Sequence, residues 1–255
     1  MTTIVSSFGP AGAALYGCRF VEEFAAYWPA DIQLVLYVEA PFDHPRAEVR
    51  DLLALPDCAA FLERHKDNLA AQGKVPTPCW GPKALSRGES YLTDAYKFCR
   101  KVFAVADAAA RRTDDLMFWL DADVRTLARV PEGWLESLMA GRDLAYIGRA
   151  QQSECGFIGF RLPQTMPLID AWAAHYATDS VFQLREFHDS YVFDRVRETT
   201  PGLRAVNLSP KGSSGHPWMQ SPLAQFTDHC KGRRRKALGY SPERFLTTKA
   251  NYAGH

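Results

Sequence analysis

Apolar positions along the chain fall into blocks of two different periods. Thr3-Ile4-Val5-Ser6-Ser7-Phe8 is short and strand-like, and Gly9-Pro10-Ala11-Gly12 interrupts it. This reads as a buried strand followed by a loop. From Ala13 to Trp28 apolar side chains recur at helical spacing, at Leu15, Phe20, Val21, Phe24 and Tyr27 or Trp28, until Pro29 stops the run. Ile32–Val38 (IQLVLYV) is continuous enough for an inner parallel strand. Strand, helix and strand in so short a span make a βαβ unit with a right-handed crossover.

Residues 40–90 break the pattern with prolines, glycines and fragmentary helical signals at Ala47–Leu55 and Ala59–Ala71. They read as an insertion or lid. Helical spacing returns from Tyr91 to Arg112, with Phe98, Val102, Val105 and Ala109 on one face. Leu116–Leu120 is a compact apolar strand that ends abruptly in Asp121-Ala122-Asp123. Leu144–Ile147 and Phe157–Phe160 predict two more strands, and Gln164–Tyr176 and Ser190–Glu198 two more helices. From Ser209 onward Gly, Pro, Ser and basic residues predict a loop-rich tail that folds back.

Composition narrows the class. The chain has 255 residues, 47% hydrophobic and 23% charged, with a formal net charge of +1. Such a chain suits one large α/β domain or two small ones and is neither disordered, collagen-like nor a coiled coil. Near-zero charge excludes a generally basic nucleic-acid coat but leaves local patches open. Cys18, Cys58, Cys79, Cys99, Cys155 and Cys230 include no C-x-x-C pair, which argues for free thiols in a cytoplasmic protein. No signal peptide or membrane-spanning run is expected.

The chemistry concentrates in two segments. Asp121 and Asp123, with Ala122 between them, follow a buried strand, where open α/β sheets bind ligands. Alone, such a pair is equally a solvated turn. At a strand end it can hold Mn²⁺ or Mg²⁺, hard cations that take oxygen ligands. Far along the chain stands Asp228-His229-Cys230-Lys231-Gly232-Arg233-Arg234-Arg235-Lys236. A neutral imidazole at His229 can complete a metal shell. Gly232 admits close backbone approach, and Lys236 or an arginine before it can bind diphosphate oxygens.

This layout resembles nucleotide-sugar glycosyltransferases of the GT-A fold. The H-x-x-G-x-x-x-K of His229, Gly232 and Lys236 is similar to the H-x-x-G-x-x-K of glycogenin- and galactosyltransferase-like retaining enzymes. It carries one inserted residue, so Arg235 or Lys236 takes the lysine's place. The resemblance implies a single, Rossmann-like α/β domain with a mixed, mostly parallel sheet flanked by helices. It has a nucleotide-sugar half over 1–125 and an acceptor half with a basic segment over 126–255. It implies Asp121, Asp123 and His229 as metal ligands. Ser6, Ser7 and Phe8 would line the nucleotide pocket, with Glu39 on base or ribose and Lys101, on the helix face it shares with Lys97, toward the sugar diphosphate. Tyr16 either stacks on the base or packs within its helix. Glu154, before the strand of Phe157, would contact the donor sugar. Asp189 would face the anomeric centre, as general base in an inverting enzyme or as stabiliser or nucleophile in a retaining one, with His188 a catalytic candidate beside it; Asp189 is alternatively the N-cap of the next helix.

The implied activity is metal-dependent hexosyl or pentosyl transfer from a UDP-linked or other nucleoside diphosphate sugar to a hydroxyl acceptor, as in a phage or bacterial family. The acceptor is a saccharide or, through basic segment 231–249, a hydroxymethylated DNA base. Two other classes compete. A nucleotidyltransferase also pairs acids at strand ends, but Gly9-Pro10-Ala11-Gly12 lacks a basic residue. A nucleic-acid-binding module would use Lys231 to Lys236, Arg244 and Lys249 with Trp218, Phe226, Tyr240 and Phe245.

Overall fold

In the computed structural model, residues 2–75, 90–112, 115–209 and 216–245 are described, with the side chain of Arg233 excepted. Cys79, residues 76–89 of the expected insertion and residues 246–249 of the basic segment lie outside them.

The expected opening unit forms. β1 (Thr2–Phe8) leads through α1 (Pro10–Gly12) and a π-helical turn (Ala13–Gly17) into α2 (Cys18–Tyr27), then β2 (Gln33–Val38). β4 (Leu116–Leu120) is buried at all five positions, as an apolar run without alternation requires of a strand covered on both faces. β1 runs parallel to both β2 and β4. β7 (Glu154–Arg161) is antiparallel to β4 and to β6 (Leu144–Ile147), and β6 pairs in parallel with β8 (Ala205–Asn207). With β3 (Ala47–Asp51) on the far edge, the mixed seven-stranded order is β3-β2-β1-β4-β7-β6-β8.

Three expectations need correction. Ala47–Leu55 is not a helical fragment: its first half is edge strand β3, where Glu48 and Arg50 alternate with Val49 at strand period. Glu48 accepts from Gln33 Nε2 at 2.8 Å, and Arg50 donates to the Tyr37 hydroxyl at 2.9 Å. The following helix, α3, spans Pro56–His65, because Pro56 suits a first helical turn. It stops short of Ala71, where the Asn68 side chain accepts from the amides of Ala70 and Ala71 and forms a turn. The strand expected at Phe157 starts three residues earlier, at Glu154.

The chain divides into two compact units. The first comprises 1–50, 113–165 and 203–255, the second 51–112 and 166–202. Ile4, Leu34, Leu36, Phe118, Phe157 and Trp218 belong to the core of the first. A second ladder in that unit joins β5 (Val124–Thr126) antiparallel to β9 (Thr227–His229). It is clamped from several sides. Glu23 on α2 accepts from Arg125 Nε at 2.6 Å and from the Thr126 amide at 2.8 Å. Trp28 Nε1 donates to Thr126 Oγ1 at 2.9 Å, and Trp218 Nε1 to Thr227 Oγ1 at 3.1 Å. The remaining helices of this unit are α5 (Trp134–Leu138) and α8 (Gly232–Leu238).

In the second unit α4 (Ala95–Ala110) packs on α3, α6 (Met166–Ala177) and α7 (Asp189–Thr199). Phe61 is its aromatic hub, with ring centroids of His65, Tyr176, Phe182 and Phe103 within 4.6 to 6.3 Å. Among the described residues no helix is long and apolar enough to cross a membrane. Phe61 is fully buried, so Phe61→Ala removes a ring at a junction that cannot collapse. Chemical denaturation is expected to show a loss of about 3–5 kcal/mol, the usual cost of Phe→Ala in a packed core. A loss under about 1 kcal/mol, the range of ordinary substitutions, would contradict that role.

Candidate metal centre

The register of two ladders assembles the site. β4 pairs with β7 so that Leu120 faces Phe157, and one residue on the Asp121 amide donates to the Gly156 carbonyl at 2.9 Å. The chain then turns, with the Val124 amide donating to Asp121 O at 3.0 Å. β5 follows at once, and its pairing sets Val124 opposite His229. The Cys230 amide donates to Asp123 O at 3.2 Å. Sequence neighbours of the apolar strand thus meet a residue 106 positions away.

The side chains converge accordingly. His229 Nε2 lies 3.0 Å from Asp123 Oδ1 and 3.6 Å from Asp121 Oδ2. Ligand atoms of Asp121, Asp123 and His229 all fall within 4.8 Å of one another. Asp121 Oδ1 accepts from Trp119 Nε1 at 2.7 Å, which fixes its orientation. Lys236 Nζ stands 2.9 Å from Asp123 Oδ2 and 4.5 Å from the Tyr16 ring centroid. Behind the imidazole, Glu154 Oε1 is 3.6 Å from His229 Nδ1, and Lys231 Nζ bonds both Glu154 oxygens at 3.0 and 3.1 Å.

Burial governs the charges. It pushes the Asp123 carboxyl up, but His229 and Lys236 prevail and hold it well below the usual range. Burial likewise raises Glu154, yet Lys231 and His229 bring it down to about 2. For His229 burial favours the neutral ring, while Asp123, Glu154 and Asp121 together raise it. Lys236 follows the same logic, with burial opposed chiefly by Asp123. Burial raises the Tyr16 hydroxyl, against the pull of Lys236.

The donor set fits a divalent cation: two carboxylates and one imidazole, already oriented toward a common point. One orphaned atom supports the fit. His229 Nδ1 is buried and has no hydrogen-bond partner, a state that costs about 1–3 kcal/mol. The other ring nitrogen, Nε2, is the one that faces both aspartates. Gly156 makes room, since a Cβ there would stand 2.5 Å from His229 Cε1.

The other expected residues separate into groups. Gly232 opens α8 at φ +82°, a conformation side chains disfavour, and so aims the helix that carries Lys236. Of the two residues considered for the motif lysine, Arg235 pairs with Glu243, and Lys236 pairs with Asp123 beside His229. Ala122 is buried between the two acids. Ser6 is fully buried and donates to Leu120 O at 2.6 Å, joining β1 to β4. Ser7 is half-buried at the next position, and Phe8 packs edge-on against Phe42 at 5.2 Å. Glu39 is half-buried just past β2, beside Gly9.

Lys101, His188 and Asp189 gather in the second unit. Lys101 Nζ is 2.6 Å from the buried Asp189 Oδ2, and His188 Nε2 is 3.0 Å from Glu186 Oε2. Asp189 is not the N-cap: it is the first residue of α7, and the cap is His188, whose side chain makes no capping bond. Burial raises Asp189, but Lys101 and His188 hold it far below its ordinary value. Expected cations of the basic segment are engaged within the chain: Lys231 with Glu154, Lys236 with Asp123, and Arg244 with the carbonyls of Thr227 and Ala224.

Sequence reasoning gave Trp119 no part here and placed Lys231 and Trp218 only in a nucleic-acid-binding reading; the Trp218 ring lies 5.0 Å from that of His229. Thr227-Asp228-His229 is polar throughout although all three residues are buried, so no apolar period marked β9.

No protein-family model matches the sequence, and no curated protein matches it. Among solved structures, the chain is similar to apo WbbM, a bifunctional glycosyltransferase, at 12% identity and a TM-score of 0.46 over 82% of this chain. It spans 38% of the WbbM chain. It is also similar to apo mouse xyloside xylosyltransferase 1, at 12% identity and TM-score 0.46, over 82% of this chain and 86% of that one.

Gly156→Ala places a methyl group where the His229 ring stands. Calorimetry should show Mn²⁺ binding weakened by about tenfold or more, the scale of disturbed ligand support; unchanged affinity would mean that His229 is not a ligand. In the second unit, Asp189 titrates below its unfolded value of about 3.9 and so stabilises the fold above that value and loses the effect as pH falls toward the folded one. Stability measured from about pH 5 down to pH 2 should fall less steeply in Asp189→Asn than in the wild type. Equal slopes would contradict the buried pair with Lys101.

Proposed function

We propose that the chain is a GT-A-type, metal-dependent glycosyltransferase that moves a sugar from a UDP-linked donor to a hydroxyl acceptor. The observation that carries this reading is the meeting of Asp121, Asp123 and His229 at the carboxyl end of β4, with Lys236 alongside. Open α/β sheets bind their ligands at such strand ends. Asp121, Asp123 and His229 would hold Mn²⁺ or Mg²⁺, which supplies Lewis-acid neutralisation of the departing diphosphate.

The chain's own groups divide the remaining work. Lys236 already projects to the acids and would exchange Asp123 for diphosphate oxygens as their charge arrives. Tyr16, next to the Lys236 ammonium, would lie against the nucleotide, with Glu39 accepting from base or ribose. A saccharide acceptor is favoured over a hydroxymethylated DNA base, because Lys231, Lys236 and Arg244 are engaged inside the chain rather than presented as a phosphate-binding row.

The test is UDP release from a panel of UDP-hexoses and UDP-pentoses, with and without Mn²⁺. Metal-dependent release is expected, with Asp123→Ala slower by about 100-fold, the scale of losing one preorganised charge contact. Lys236→Ala should weaken UDP binding. Absence of metal-dependent UDP binding or release would sink the proposal. Pyrophosphate release from a nucleoside triphosphate plus sugar phosphate would replace it with nucleotidyl transfer, and salt-sensitive DNA binding would restore the DNA acceptor.

A further inference from the structure

The face of His229 turned away from the two aspartates has its own apparatus. Nδ1 is buried without a hydrogen-bond partner, and Glu154 Oε1 stands 3.6 Å from it. Only 3% of the Glu154 side chain is exposed, although no chemistry at a surface requires it there. Lys231 Nζ grips both carboxylate oxygens from the outside, at 3.0 and 3.1 Å, and Arg149 Nη1 adds a longer contact at 3.7 Å. Lys231 follows His229 by two residues, and its own amide donates to His229 O at 2.8 Å. Glu154 and Gly156 come from the same strand entry, one offering a charge to the ring and the other the space for it.

We propose that Glu154 is a positioning residue of the metal centre, accepting the Nδ1–H of His229 so that Nε2 faces Asp121 and Asp123, with Lys231 fixing the carboxylate. The inference rests on the metal-site reading above. A metal-ligating histidine characteristically donates its second ring N–H to a carboxylate, which sets the tautomer and the ring plane. Among the described residues Glu154 is the carboxylate that stands beside that nitrogen, and with 3% of its side chain exposed it offers little surface to a sugar hydroxyl. Glu154 thus acts through His229 rather than on the substrate, in contrast to the donor-sugar contact that its place in the sequence suggests. Lys231, the visible part of a basic run, becomes a structural counter-charge.

The experiment compares the wild type with Glu154→Ala and Glu154→Gln. Mn²⁺ affinity is measured by electron paramagnetic resonance, and the exchange-protected Nδ1–H of His229 is followed by nitrogen-15 NMR with and without Mg²⁺. The wild type should show the protected proton. Glu154→Ala should lose it and bind Mn²⁺ about 10- to 100-fold more weakly. Glu154→Gln, which keeps an acceptor oxygen, should retain the proton and most of the affinity. If Glu154→Ala does not fold, Glu154→Asp, one methylene shorter, should show the same two losses. A folded Glu154→Ala with wild-type affinity, or with the Nδ1–H signal intact, overturns the inference. A wild type that binds no Mn²⁺ overturns the metal-site reading. The proton signal then decides alone whether Glu154 holds His229: its loss in Glu154→Ala supports the contact, and its persistence overturns it.

Discussion

A ladder of three residues on each strand holds the candidate site together. β5 and β9 place His229 beside Asp123. A two-stranded ribbon this short is not stable by itself. Its persistence comes from polar groups buried around it. Glu23 takes hydrogen bonds from both Arg125 and Thr126, two tryptophan indoles cap threonines on opposite strands, and the buried Asp228 accepts from the Ser241 amide at 2.7 Å. Each bond contributes only about 0.5–1.5 kcal/mol net, but leaving any such group unpaired costs more. The ladder is consequently fixed less by its own hydrogen bonds than by the penalty for separating its clamps.

Charge explains why cations come from so far along the chain. Asp123 and Glu154 are nearly buried, and a buried carboxylate without a partner would protonate rather than remain charged. His229, Lys231 and Lys236 arrive together on one continuous stretch and answer both acids at once. The basic run is thus an internal counter-charge to the acidic turn. Within a chain of near-zero net charge, the fold brings these two local excesses into contact.

Much of the architecture was legible because it follows from period and continuity. The all-buried run Leu116–Leu120, the helix behind Phe98 and Val102 and the opening βαβ unit appear where apolar spacing puts them. β3 was misread because four of its five residues are only half-buried, the fifth is exposed, and its alternation involves a single valine. Asp121, Asp123 and His229 were recognisable from residue type and from resemblance. The placement of Glu154 was not, because it depends on the β4–β7 register and on the absent side chain of Gly156, neither of which has a periodic signature. The Lys101–Asp189 pair was hidden for the same reason: lysine at helical spacing looks solvated until the buried carboxylate opposite it is known.

The two basic side chains at the acids are not equivalent, and the difference bears on how a ligand could enter. His229 is enclosed, with 1% of its side chain exposed, and is fixed by strand pairing on one side and the rings of Trp218 and His216 on the other. Lys236 is 32% exposed on the short helix α8 and rests against Tyr16. Long lysine stems reorient at little cost when their ammonium stays hydrated. If Lys236 leaves Asp123, the carboxylate still has His229 at 3.0 Å and is not stranded in an apolar surrounding. An anion arriving at α8 would meet the exposed ammonium first, while strand pairing keeps the enclosed imidazole beside the acids.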